Sequence, residues 1–280
     1  MLHAVQNFLP IMTSDAGLCL TAANWQEVNI TSIALYLDSL LLKPGYELLK
    51  KIPNLSAYMG WSGAIILNAA SLAANKEGIF TITSTYDGSK LKLTYAQLIE
   101  IILHLKPNAV ILPRKIVQEF PQIWENWDES ITPIIGVDDL LKQEVHRVHG
   151  VYFHWDNSLS RDAFLEQLKR WSHLPRYVTG HLSLELMTYL KEEGIEFLES
   201  NEPAASGMQG KVFCRKGVVD LTEDSTAMQF EVIDGECACP TCSQQLTKAY
   251  LHHLFLHTPL LCQRFLIQHN VYYALSYSGN

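Results

Sequence analysis

Short apolar, β-branched runs alternate with longer runs of helical periodicity along most of this chain, and that alternation narrows its fold more than any other feature. The stretch "AIILN" (64–68) reads as a buried strand. "GIFTITSTYDGSKLKLT" (78–94) reads as a hairpin, because β-branched residues alternate on either side of an Asp87-Gly88 turn. Thr94 then has the character of an N-cap for "YAQLIEIILHL", whose apolar residues recur at helical spacing until Pro107 stops them. Further strands are expected at "AVIL" (109–112), "PIIGV" (133–137), "GVYF" (150–153), "RYVTG" (176–180) and "IEFLE" (195–199). Helical segments, "PRKIVQEFPQIWENW", "SRDAFLEQLKRWSH" and "LSLELMTYLKEEG", stand between several of them. Repeated strand–helix alternation favours a parallel sheet covered by helices, closed as a barrel or open as a doubly wound layer. A second hairpin is expected in "KVFCRKGVVDLTED" (211–224), turning at Lys216-Gly217. No internal repeat or flexible linker interrupts the pattern, so no domain boundary is expected before about residue 205.

Composition bounds the function classes. At 280 residues and 48% hydrophobic, the chain can bury a substantial core as one large domain or two small ones. No apolar run reaches the roughly 18 residues needed to span a bilayer. The opening "MLHAVQNFLPIMTSD" lacks the basic start and long apolar core of a signal peptide, so a cytoplasmic, non-membrane protein is expected. Net charge is −8, from 21 basic and 29 acidic side chains. Phosphate binding draws on Lys and Arg, so this balance argues against a general nucleic-acid coat while leaving room for a local basic patch.

Cysteine usage points to a metal. Six cysteines are too few for a disulfide scaffold, and the scattered Cys19, Cys214 and Cys262 read as small buried hydrophobes or inert surface thiols. Cys237, Cys239 and Cys242, by contrast, crowd into six residues. Zinc takes four tetrahedral ligands from thiolate and imidazole, and Cys-x-Cys-x-x-Cys supplies three sulfurs from one tight turn. The fourth ligand must come from elsewhere, with His252, His253, His257 and His269 as candidates. Three sulfurs and one imidazole close the shell, so the expected role is structural. His146, His149, His154 and His181 are spread along the chain; "HRVH" (146–149) could put two imidazoles on one helical face, which a surface helix explains as well.

"CACPTC", then "KAYLHHLF", then "RFLIQHN" resembles the C-terminal zinc motif of the tRNA-guanine transglycosylases, also called queuine tRNA-ribosyltransferases. The resemblance implies Cys237, Cys239, Cys242 and His269 as ligands of a structural zinc ion. It continues in order along the chain: "FLPIMT" (8–13) resembles the family's opening strand, and "LLLKPGYELL" its Leu-Arg-Pro-Gly segment. "YMGWSGAIIL" is similar to the run before the active-site loop, "YDGSKLKLT" to an Asp-Gly-Ser hairpin, and "LPRYVTG" to a Pro-Arg-Tyr-Leu-Met-Gly strand. The fold this implies is an irregular TIM (β/α)8-type barrel over residues 1–205, completed by C-terminal segments, with a hairpin, zinc-binding subdomain and C-terminal helix over 206–280.

The same resemblance locates the catalytic positions, and most are altered. In active members one aspartate attacks C1′ of the nucleotide and expels guanine, a second handles protons, and a third reads the base. Asn68, in "LNAASLA", stands where the proton-transfer aspartate is expected, and an amide cannot act as a carboxylate base. Ala70 and Ser71 replace two glycines of that motif. Arg114, in "NAVILPRK", stands at the base-reading aspartate; guanine's donors need an acceptor, and arginine offers only donors. Tyr152, Phe153, His154 and Trp155 replace Val-Gln-Gly-Gly. Glu199, in "GIEFLESNEPAA", takes the place of the nucleophile, one methylene longer than aspartate. Ala205 and Met208 replace two RNA-contacting arginines, although Lys211, Arg215 and Lys216 could still meet phosphate.

Three readings follow. In the first, the chain keeps the family scaffold with a degenerate active site, as a non-catalytic paralogue in a homodimer or beside a catalytic homologue, with weakened tRNA contact. In the second, it is a divergent transglycosylase acting through Glu199 on tRNA or a related nucleoside. In the third, it binds a small molecule in a barrel mouth lined by Arg114, Phe153 and Trp155, a reading that rests on fold logic alone.

Overall fold

The strand runs assemble into one parallel sheet. A computed structural model describes residues 5–141 and 148–276. In chain order the strands are β1 Phe8–Pro10, β2 Ser32–Tyr36, β3 Ala64–Asn68, β4 Ile79–Thr83, β5 Lys90–Thr94, β6 Ala109–Ile111, β7 Thr132–Gly136, β8 Val151–Trp155, β9 Arg176–Gly180, β10 Phe197–Ser200, β11 Lys211–Cys214 and β12 Gly217–Asp220. Eight of them form a sheet in the order β1-β10-β9-β8-β7-β6-β3-β2, while β4-β5 and β11-β12 are antiparallel hairpins. The order puts the first two strands at opposite edges, and Gln6 brings those edges together. Its backbone N–H donates to Ser32 Oγ at 3.0 Å, and its side-chain oxygen accepts from Thr31 N–H at 2.8 Å. The sheet is therefore a nearly closed eight-stranded barrel, as the family resemblance implied.

The two units into which the chain divides are each compact: one spans 1–9, 31–180 and 194–199, the other 10–30, 181–193 and 200–280. In the first, the interior is filled by side chains that the two-residue strand period turns inward. Leu9, Ile66, Ala109, Ile111, Ile134, Tyr152, Tyr177 and Phe197 form one buried cluster drawn from seven strands. Register lines up Gly136, Tyr152, Tyr177 and Phe197 across β7 to β10. A Cβ at Gly136 would lie 3.2 Å from the Tyr152 ring and hydroxyl, so the glycine leaves room for that tyrosine inside the barrel.

The helix Tyr95–Leu105 follows the expected logic. Thr94 and Gln97 exchange side-chain-to-backbone hydrogen bonds in a capping box, and Lys106 ends the helix in a left-handed conformation just before Pro107. The helical pattern of "PRKIVQEFPQIWENW" departs from a single helix. It forms one turn at Ile116–Glu119 and a 3-10 turn at Pro121–Trp124, because Pro121 has no N–H to continue the first. The second hairpin closes two residues wide at Arg215 and Lys216, since Cys214 already pairs with Gly217. His146 lies outside the described residues, so the "HRVH" pairing does too.

In the second unit, the helix Glu202–Met208 crosses the long helix Pro259–Ser276 at close range. A Cβ on Gly207 would meet the backbone of Ile267 at 2.8 Å, so only glycine permits that approach. Val212, Leu221, Ile233, Leu251, Leu254, Cys262 and Leu266 close a core around Cys239 and Cys242. No helix among the described residues is long and apolar enough to cross a membrane.

Candidate functional site

Barrel enzymes assemble their chemistry at the C-terminal ends of the strands. Ile66 and Phe197 point inward, so the two-residue period also turns Asn68 and Glu199 inward, one layer nearer that end. Tyr36, the β2 partner of Asn68, joins them from the next strand. Glu199 is wholly buried. Its Oε1 accepts from the Tyr36 hydroxyl at 2.8 Å and from Asn68 Nδ2 at 3.0 Å. Its Oε2 accepts from the Tyr177 hydroxyl at 2.8 Å and from the same Asn68 amide at 3.2 Å. The Asn68 amide is held in this orientation because its Oδ1 accepts from Ala70 N–H at 3.0 Å, which turns its donors toward the carboxylate.

Two opposed effects set the protonation of Glu199. Burial away from water disfavours the anion, and the bonds from Tyr36, Tyr177 and Asn68 favour it; burial wins, and the carboxyl is pushed up to about 7. Burial and the adjacent carboxylate raise both phenols far out of the physiological range, so Tyr36 and Tyr177 remain donors. The result is a hydrogen-bonded knot in which neither carboxylate oxygen lacks a donor. The loop after β3 is tied as well, with the Ser71 hydroxyl donating to Asp38 Oδ2 at 2.8 Å.

Arg114 is exposed, and no hydrogen bond or ion pair joins it to Glu199 among the described residues. It borders a separate cleft of about 240 Å³ at the ends of β6, β7 and β8, with Tyr152, Phe153, His154 and Trp155 in its lining. The structure thus separates positions that the sequence reading grouped as one catalytic constellation. A larger cleft of about 760 Å³ opens beside Asn7, Thr132 and Pro175, at the opposite ends of the strands. The Glu199 partners Tyr36 and Tyr177 were not singled out from sequence. Strand alternation could flag Glu199 as inward once Phe197 was known to be, but only the strand order brings residues 36, 68, 177 and 199 together.

The second centre is the cysteine cluster. Cys237, Cys239, Cys242 and His269 bring their ligand atoms within 4.8 Å of one another. His269 Nδ1 stands 3.8, 3.3 and 3.4 Å from the three sulfurs in that order. A tetrahedral zinc ion with Zn–S of about 2.3 Å and Zn–N of about 2.0 Å requires sulfur and nitrogen roughly 3.5 Å apart, so the donor set fits. The other ring nitrogen, Nε2, donates to the Phe213 carbonyl at 2.7 Å, which fixes the tautomer that leaves Nδ1 free to ligate. Asn270 braces the same helix turn through bonds to Phe213 N–H and to the Lys211 and Pro203 carbonyls. The other candidate histidines are engaged elsewhere. His252 Nδ1 lies 2.8 Å from the Leu221 carbonyl, and the rings of His253 and His257 face each other at 4.3 Å. Of the three basic side chains near the hairpin, Arg215 is ion-paired with Glu236.

Comparison with known proteins bears on both centres. The sequence model of the queuine tRNA-ribosyltransferase family matches residues 161–278, which include β9, β10 and the whole Cys3His cluster. Full-length similarity extends further. The chain is 24% identical to a queuine tRNA-ribosyltransferase of Thermotoga neapolitana, over 96% of this chain and 84% of that protein. It is 24% identical to one from a Thermoanaerobacter species, over 96% and 83%, and to one from Clostridium acetobutylicum, over 84% and 76%. The matched segment, the similarity over most of the chain, the barrel and the clustered Cys3His residues agree in likening this chain to the queuine tRNA-ribosyltransferases.

Proposed function

We propose that this chain keeps the scaffold and a structural zinc of its family without the base-exchange reaction, and serves in the cytoplasm as a non-catalytic paralogue. It would act as a homodimer or as a subunit beside a catalytic homologue, with tRNA contact weakened by Ala205 and Met208 where the family carries arginines. The observation that carries this reading is the state of Glu199, the residue at the nucleophile position. It is wholly buried, and donors cover both of its oxygens. A nucleophile needs a free lone pair aimed at the reacting carbon and a charged state at working pH. Glu199 has neither in full, since burial holds its carboxyl near 7. Asn68 supplies hydrogen bonds where proton transfer calls for a carboxylate, and Arg114 would present donors to a base edge that is itself a donor.

The test is a guanine-exchange assay with labelled guanine and tRNA, read together with denaturing gels for a covalent RNA adduct. The expected result is no incorporation and no adduct, with co-elution of this chain and a catalytic homologue on size exclusion. The alternative, a divergent transglycosylase acting through Glu199, is supported by the retained carboxylate at the C-terminal end of β10. An RNA adduct that forms with the wild-type chain and disappears in Glu199→Gln would establish it and overturn the first reading.

A further inference from the structure

His253 and His257 belong neither to the Cys3His cluster nor to the Glu199 knot. Both are exposed, on the last two turns of the helix Lys248–His257. Residues four apart share one face of a helix, and the two ring centroids stand 4.3 Å apart with the rings tilted by 49°. Apart from each other, neither ring has a hydrogen-bond or ion-pair partner among the described residues.

The opposite face of that helix is anchored, which fixes where these imidazoles point. Leu251 and Leu254 are buried in the core around Cys239 and Cys242, and the buried His252 ring meets the Leu221 carbonyl at 2.8 Å. The last turn is closed by Thr258, whose N–H and hydroxyl donate to the Leu254 carbonyl at 2.8 and 3.2 Å. The pair therefore stands on a held backbone, and binding would order little beyond the two side chains. The C-terminal end of a helix also carries partial negative charge, which favours a cation beside His257.

We propose that His253 and His257 chelate a divalent transition-metal ion of the nickel, copper and zinc class, at a site separate from the Cys3His cluster. Metal–nitrogen bonds of about 2.0–2.1 Å place two ligating nitrogens roughly 3 Å apart. Exposed rings whose centroids already stand 4.3 Å apart reach that separation by small side-chain rotations. Two histidines at this helical spacing are a recurrent chelating unit for the same geometric reason. Imidazole selects these ions over magnesium and calcium, which require oxygen ligands. Two ligands leave the remaining coordination positions to water, so this site exchanges its ion readily, in contrast to a closed four-ligand set. It stands whether the chain acts as a subunit or as an enzyme.

The test uses the full chain without an affinity tag, loaded with zinc, dialysed against metal-free buffer and titrated with Ni²⁺ in a calorimeter. About one Ni²⁺ per chain should bind while elemental analysis finds the zinc content unchanged. His253→Ala and His257→Ala should each weaken that binding about tenfold or more, because either one turns a chelate into a single ligand. Millimolar Mg²⁺ or Ca²⁺ should not compete, and affinity should fall in acid, since imidazole ligates in its neutral form. Both side chains are exposed, so folded variants are expected, with circular dichroism and zinc content as controls. The proposal is overturned if Ni²⁺ binds the wild-type chain no more tightly than the double variant. It is equally overturned if either single substitution leaves affinity unchanged, or if nickel uptake is matched by loss of zinc. None of these results bears on base exchange, which is read in a separate assay.

Discussion

The Glu199 knot makes a quantitative prediction about pH. Its carboxyl moves from 4.5 when unfolded to about 7 when folded. A group whose folded value is raised binds its proton more tightly in the native state. The stability it contributes is therefore complete below about pH 4.5 and is lost as pH rises through about 7. At about 1.4 kcal/mol per pH unit over that interval, the wild-type chain should lose about 3 kcal/mol from this one group between acid and mildly alkaline solution. Glu199→Gln keeps the shape and hydrogen-bonding capacity of the protonated acid but cannot ionise. Urea unfolding of both proteins at a series of pH values isolates the effect, because every other titrating group, the cysteine cluster included, cancels in the difference. The variant should gain on wild type by about 3 kcal/mol as pH rises from 4.5 to 8. A flat difference across that range would refute the reasoning, since Glu199 would then ionise as it does in water. A difference of opposite slope would mean that the tyrosine and asparagine bonds outweigh burial, and Glu199 would return as a competent anion at neutral pH.

The cysteine cluster predicts bound metal: elemental analysis should find about one zinc per chain, lost in His269→Ala. Strong chelation should lower the thermal midpoint of wild type by several degrees and leave that variant unmoved, because metal binding energy is folding energy. Gly207→Ala should cost about 1–3 kcal/mol in chemical denaturation, since the added methyl meets Ile267 backbone that cannot swing aside. An unchanged midpoint would show that the two helices separate easily.

Much of this architecture was legible residue by residue. Many strand and helix positions followed from local pattern, as at Thr94 and "RYVTG", because capping and alternation are short-range effects, whereas barrel strand β2 at Ser32–Tyr36 was not among the expected strands. Where local pattern failed, the cause was equally specific: Pro121 split one expected helix by removing a single donor. The clustered Cys3His residues were nearly as legible. Cys-x-Cys-x-x-Cys stated three of them, and family resemblance chose His269 from four histidines.

The linear order alone determined the alternating strands and helices, the cysteine knuckle and the carboxylate at position 199. Only the tertiary structure decided what those groups do. Strand order brought Tyr36, Asn68 and Tyr177 around Glu199, from positions up to 163 residues away. It also left Arg114 with a different cleft. The physical reason is that protonation and reactivity depend on burial and on neighbours a few ångströms away. Those neighbours are set by barrel closure, which joins parts of the chain that no local pattern connects.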